Sequence, residues 1–336
     1  MILAPVANQL RRRVLIVSEG ALQYTSFAAL PSPVKSVGVN PLVAEHEIIN
    51  LPSVSVLAEL RRKHTGRSEP RNSVAVLADP VFSKDDSRIA NAEVTGTIED
   101  SATETRSWEQ ANASSDTTTL ATDLLTRSIE DIDLRGHNGF SLPRLVFSRQ
   151  EADSILAVAP AGSSMKALGF DANRTTATSP DLAQYRIVHF ATHGMLDSQH
   201  PELSGLVLSM VDKAGKPQNG FLRLQDIYNL NLPVELVVLS ACETGLGKEI
   251  NGEGLVGLTR GFMYAGASRV VASLWKVDDA ATAELMGHFY SAMFRDHLSP
   301  AAALRKAQLE ISQQKRWTDP YYWAGFVIQG EWKAMQ

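Results

Sequence analysis

The sequence predicts an α/β protein built on a largely parallel sheet covered by helices on both faces. Three observations predict it. Short apolar runs at 13–19 (RVLIVSE), 73–78 (SVAVLA), 185–191 (YRIVHFA), 234–241 (VELVVLSA) and 268–275 (SRVVASLW) have strand length. They are apolar or β-branched almost throughout, as buried strands are. Stretches with helical spacing separate them, and strands alternating with helices favour a parallel sheet. A chain of 336 residues suits one large domain or two packed halves.

In chain order, the first strand is bounded by Gly20 and the second stops at Asp79-Pro80. Between them, Val54, Leu57 and Leu60 share one helical face behind Ser53, an N-cap residue type. Residues 83–119 are rich in Ser, Thr, Asp, Glu, Asn and Ala. Their core, SATETRSWEQANASSDTTT, offers only Trp108 to bury, so a mobile loop or insertion is expected. Helical spacing returns at 120–132 and at 148–158, where Ser148 and Glu151 have the spacing of a capping box. Beyond 185 the pattern is dense: a strand-like segment at 203–211, helices at 224–232, 252–266 (closed by Gly266), 280–294 and 300–313, and a last strand at 323–330.

Composition narrows the function classes. Hydrophobic residues make up 44% and charged residues 21%, ordinary values for a soluble globular protein. The net charge is −5, and RRR at 11–13 and RRK at 61–63 read as solvated ends of elements, so nucleic acid is not an expected partner. No run of 18 apolar residues predicts a membrane span, and the N-terminal charges follow the apolar stretch, the wrong order for a signal peptide. The single cysteine, Cys242, excludes an internal disulfide framework and favours a reducing, cytoplasmic setting. His46, His64, His137, His200, His288 and His297 have no metal-ligand spacing, so neither metal nor cofactor is expected.

Two strands end in small-residue turns that carry a reactive side chain: IVHFATHG with His193, and VVLSACETG with Cys242. Reactive groups of open parallel sheets gather at the carboxyl ends of strands. There a thiolate can attack a carbonyl while an imidazole takes up and returns the proton. The oxyanion needs convergent N–H donors, for which the backbone N–H groups of Gly194 and Cys242 are candidates. Taken singly, a strand-end cysteine is more often a small core hydrophobe and a strand histidine more often structural. His189 reads as such a structural histidine, on the same period-two face as His193 but within the strand body.

The segments HFATHG, VVLSACETG, GEGLVGLTRGFMYAGA, SLWKVDDAAT and PYYWAGFVIQG resemble the CHAT domain, a relative of the caspases and separases. LIVSEGALQYTSFAAL, LPSVSVL and LADPVF extend the resemblance toward the N-terminus. It implies a caspase-like three-layer sandwich with a pseudo-protease half (1–150, carrying the insertion near 83–119) and a catalytic half (151–336). It also implies a Cys–His dyad in the second half, here His193 and Cys242. The two stand 49 residues apart, close to the caspase spacing of about 50. SACETG differs from the caspase QAC[RQG]G pattern, so aspartate specificity is not implied. The WKVDD segment is similar to one that shapes a basic-residue pocket in separases. Asp279 and its neighbour Asp278 therefore stand as substrate-binding residues, against the alternative that one of them caps the helix at 280–294.

The expected function is thus a cysteine endopeptidase acting on protein substrates, with cleavage after basic residues if Asp279 lines the pocket, beside a helical-repeat (TPR-like) region or a regulatory partner. The alternatives are a catalytically silent CHAT scaffold that binds partners, and an acyltransferase or amidase using the same dyad. Trp317, Tyr321, Tyr322 and Trp323 read as core or rim packing, and Glu253 as the start of a helix.

Overall fold

The computed structural model of the protein describes residues 3–33, 40–64, 70–90, 142–196, 204–240 and 253–333. In chain order the elements are β1 (Arg13–Ile16), β2 (Glu47–Asn50), α1 (Val54–His64), β3 (Asn72–Ala78), α2 (Ser87–Ala90), α3 (Val146–Val158), β4 (Ser164–Leu168) and α4 (Arg174–Ala177). There follow β5 (Tyr185–Ala191), β6 (His193–Met195), β7 (Gly205–Val207), β8 (Phe221–Arg223), α5 (Leu224–Tyr228), β9 (Leu236–Leu239) and α6 (Glu253–Ala265). The chain closes with β10 (Arg269–Ser273), α7 (Asp279–Phe294), α8 (Pro300–Ser312) and β11 (Phe326–Gly330).

The main sheet has the order β1-β2-β11-β10-β9-β5-β3-β4. Every neighbouring pair is parallel except β10–β11. Strands β10, β9, β5, β3 and β4 therefore point one way and share a carboxyl edge. From β3 the chain moves outward to β4 and then back across to β5, so the strand order reverses between β3 and β5. Parallel crossovers keep one hand, so a reversal in direction puts the connecting helices on opposite faces. Accordingly α3 packs Ala152 and Ile155 on one face, and α6 packs Leu258 and Phe262 on the other.

Period-two alternation sorts the strand residues between two cores. Val74, Val76 and Ala78 of β3, Ile187 and Ala191 of β5, and Val238 of β9 join α3, α7 and α8 on one side. Ala75, Leu77, Val188, Phe190, Val237 and Leu239 join α1, α5 and α6 on the other. The result is the expected three-layer α/β/α sandwich with a mostly parallel sheet. The expected boundary at 150 falls inside α3, and strands from both sides of it alternate within this one sheet, β11 beside β2 and β3 between β4 and β5.

Local chemistry accounts for several ends. Ser53 caps α1 by accepting from the Val56 N–H at 3.1 Å. Gly266 closes α6 at φ 121°, a backbone conformation in which a side chain is strained. The capping box expected at Ser148 does not form, because α3 starts two residues earlier. Ser148 is instead buried, donating to the Leu145 carbonyl at 2.7 Å and accepting from the Asp79 N–H at 3.1 Å. Glu151 turns into the core beside His189. Both side chains serve buried groups of neighbouring elements, a demand that outweighs a local cap.

The front of the expected loop is also anchored: within 83–90, Arg88 of α2 donates to the Asp79 carbonyl at 2.7 Å and the Pro80 carbonyl at 3.2 Å. Residues 91–119 and the helix expected at 120–132 lie outside the described residues. Strands β2, β4, β6 and β8, which the sequence pattern does not announce, are short and of mixed polarity.

A second, three-stranded antiparallel sheet, β6-β7-β8, stands at the carboxyl edge. Its pairing needs glycine at 205, where a Cβ would lie 2.4 Å from the Leu222 carbonyl oxygen. That oxygen is backbone and can move only by opening β7–β8. Gly205→Ala should therefore destabilise the protein by about 1–3 kcal/mol, read as a lower denaturation midpoint. An unchanged midpoint would show that this sheet yields without cost.

Candidate active site

His193 reaches the carboxyl edge because β5 ends at Ala191. Thr192 then breaks the strand, its hydroxyl donating to the Val207 carbonyl, and the chain enters β6. The expectation that His189 and His193 share a face fails here: the two lie in different sheets, and the break at Thr192 resets the alternation. His193 is 3% exposed, with its ring tilted against Phe82 at 5.1 Å between centroids. Its Nε2 lies 2.7 Å from the Pro143 carbonyl oxygen. A carbonyl only accepts, so Nε2 carries the proton, and a neutral imidazole then presents Nδ1 as a lone pair. Nδ1 is buried and has no hydrogen-bond partner among the described residues. Burial pushes the imidazole below its ordinary pKa, and the nearby Lys276 ammonium adds to this, while the Pro143 carbonyl opposes it.

The imidazole opens onto a cavity of about 290 Å³, lined also by Leu145, Lys276, Asp278, Asp279, Tyr321 and Tyr322. The two aspartates divide their tasks. Asp278 is the N-cap of α7, its Oδ1 accepting from the Ala281 N–H at 2.9 Å. Asp279, in the first turn, accepts at Oδ2 from the Phe147 N–H at 3.0 Å and so ties α7 to the start of α3. Burial pushes the Asp279 carboxyl up from its usual range; the Phe147 N–H opposes this, and the negative charges of Glu151, Asp278 and Asp79 reinforce it. Of the aromatic cluster, Trp323 is core, whereas Tyr321 and Tyr322 stand edge-to-face at 5.3 Å on the cavity wall. Trp275 donates through Nε1 to the Tyr321 carbonyl at 3.0 Å, tying that wall to the loop before α7.

Cys242 lies outside the described residues. Two residues before it, Ser240 leaves the end of β9 beside β5, its N–H donating to the Phe190 carbonyl at 3.1 Å. Its Oγ is 3.2 Å from His189 Nε2. His189 is wholly buried, with Nδ1 3.0 Å from the Tyr290 hydroxyl and Nε2 2.8 Å from a Glu151 carboxylate oxygen. This group ties α3, β5, β9 and α7 together, a structural role for His189.

The described site thus brings together His193, Asp278 and Asp279 on one cavity, with Gly194 beside His193 on β6 and paired in register with Leu206. The sequence does not mark Pro143, Asp79 or Arg144 as part of a site, and it marks Glu151 only as half of a capping box. Of the first three, Asp79 alone carries a signal, because the Asp-Pro pair at 79–80 reads as a strand stop.

A family profile described as the CHAT domain matches residues 1–331, and the chain belongs to that family. Among characterised proteins, tetratricopeptide repeat protein 28 of Homo sapiens is 37% identical over 113 residues, 34% of this chain and 4% of that protein. The Mus musculus protein of the same name is 38% identical over 109 residues, 32% of this chain and 4% of that protein. The chain thus spans only a small fraction of these relatives. Two crystal structures of the Saccharomyces cerevisiae separase–securin complex align with 85% of this chain and 14% of the separase-complex chain, at 12% identity and a TM-score of 0.38. No helix among the described residues is long and apolar enough to cross a membrane.

Proposed function

We propose that the protein is a cysteine endopeptidase of the caspase–separase type, with Cys242 as nucleophile and His193 as general base and acid. The observation that carries this reading is the state of His193. It is held in one tautomer by the Pro143 carbonyl, its Nδ1 lone pair lacks a partner among the described residues, and it faces a cavity that is also lined by the half-buried carboxylate of Asp279. In the proposed reaction Nδ1 takes the thiol proton and Sγ bonds to the substrate carbonyl carbon. The resulting oxyanion is assigned to the N–H groups of Gly194 and Cys242. Collapse breaks the C–N bond as Nδ1 returns its proton to the leaving amine. Water, deprotonated by the same nitrogen, then releases the acid and restores the thiol.

In this reading, residues 1–150 supply framework and positioning and no reacting group, so alanine at His46, His64 or His137 spares catalysis. The named relatives are repeat proteins, which supports placing the domain beside a helical-repeat region that presents substrate or regulates access. The same likeness favours a second reading, a silent scaffold that only binds partners.

An electrophilic peptide probe separates the two. A peptidase is labelled at Cys242 and loses labelling in Cys242→Ala; a scaffold is not labelled, and binds its partners equally well with that substitution. The pH profile gives a further check. Because burial and Lys276 hold the imidazole below the usual 6.5, the base form persists into mild acid, and the acidic limb of kcat/KM should lie below pH 6.5. Removing the repelling charge in Lys276→Met raises the imidazole pKa and should move that limb upward. A limb at or above 6.5 in the wild type, unmoved by Lys276→Met, contradicts the assignment of His193 as base.

A further inference from the structure

The carboxyl end of β3 carries a charged group that this chemistry leaves unused. Asp79 is 1% exposed, and its backbone sits at φ 52°, a region that residues other than glycine rarely occupy. Three guanidinium groups converge on its carboxylate. Arg144 grips both oxygens, Nε to Oδ1 at 2.7 Å and Nη2 to Oδ2 at 2.8 Å, while Arg149 reaches Oδ2 at 2.8 Å and Arg88 reaches Oδ1 at 3.1 Å. The Asp79 N–H donates to Ser148 Oγ at 3.1 Å, and its carbonyl accepts from Arg88 at 2.7 Å. A buried carboxylate is tolerated only when paired and hydrogen-bonded. This one is satisfied by α2, by the segment at 142–145 and by α3 together, so it sets where those three meet.

The middle segment is the consequential one. Arg144 is bonded through the peptide to Pro143, whose carbonyl holds His193 Nε2 at 2.7 Å. We infer that Asp79, through its two-point grip on Arg144, is a positioning residue that holds the Pro143 carbonyl in place and thereby sets the tautomer and orientation of the His193 imidazole. Its consequence for catalysis rests on the peptidase reading; its effect on the imidazole does not. A purely structural knot would treat its arginines alike. Positioning does not, because Arg149 sits on α3, whereas Arg144 shares a peptide unit with the Pro143 carbonyl.

The test compares Arg144→Gln, Arg149→Gln and Arg144→Lys, all at partly exposed side chains and each leaving two arginines on Asp79 or a cation in place. Asp79→Asn is avoided as the primary variant because it strips the carboxylate from all three arginines and risks unfolding. The readout is the ¹⁵N signature of the His193 ring, assigned with His193→Gln, together with kcat and KM on a peptide substrate. Arg144→Gln should shift His193 from the single Nε2–H tautomer to a mixture and lower kcat by about 10- to 100-fold with little change in KM. Arg149→Gln should leave the ring signature as in wild type. Arg144→Lys, a point charge without the fork, should recover only part. A wild-type ring signature in Arg144→Gln, or equal disturbance by Arg149→Gln, overturns the inference. Should the wild type show no peptidase activity while Arg144→Gln alone disturbs the ring, positioning stands and the peptidase reading falls.

Discussion

Cys242→Ala is expected to abolish peptide hydrolysis, and His193→Ala to lower kcat/KM on the order of 10⁴-fold or more. The size follows from the shared job of the two groups. Without the imidazole the thiol keeps its proton, and without the thiol the imidazole has nothing to activate. Members of such a unit are not additive, so the double variant should be no slower than Cys242→Ala alone. His193→Ala also leaves the Pro143 carbonyl without its donor, yet the fold should stand, because β6 is held by its register with β7 rather than by the ring. Losses that multiply in the double variant would mean that the residues act separately. A His193→Ala enzyme of near wild-type rate would remove the imidazole from the reaction.

The next largest effect is expected in specificity. A half-dry carboxylate can hold a guanidinium through charge-assisted hydrogen bonds, and Asp279 stands on the wall of the His193 cavity. Asp279→Asn should cost roughly 2–5 kcal/mol on substrates with Arg before the cut, on the order of 30- to several-thousand-fold in kcat/KM, with little effect on Met substrates. Asparagine retains an oxygen for the Phe147 N–H, so the tie between α7 and α3 survives. Asp278→Asn should be mild for every substrate, because Asp278 caps α7 and asparagine caps about as well. Acid should mimic the Asp279 change. With its pKa raised by burial, this carboxyl gains its proton as the pH falls before ordinary carboxyls do, so the preference for Arg should fade first. Equal rates on Arg and Met peptides in wild type and Asp279→Asn alike would take Asp279 out of the pocket.

The central strands were legible because they are buried on both faces and therefore apolar at nearly every position, as in Leu236–Leu239 and Asn72–Ala78. The edge strand β4 alternates or stays exposed, and β6 and β8 are three residues long, too short for a period to show. His193 could be singled out because a histidine followed by glycine at a strand end is a local pattern. Pro143, Arg144 and Asp79 could not, because their roles come from contacts across 50 or more residues of sequence, as in Pro143 with His193 and Asp79 with Arg144. Ser148 and Glu151 show the opposite error. Their spacing matched a local motif, but the buried Asp79 amide and the buried His189 ring claimed both side chains. The WKVDD segment held two alternatives that sequence could not separate. The structure gives the cap to Asp278 and leaves Asp279 on the cavity wall.

The most direct measurement is a proteome-wide map of new N-termini made by the full chain, compared with Cys242→Ala under the same conditions. The account predicts discrete cleavage sites present only with the wild type, enriched in Arg or Lys immediately before the cut. Identical maps from the two proteins, with the wild type folded and Cys242 reduced, would contradict it.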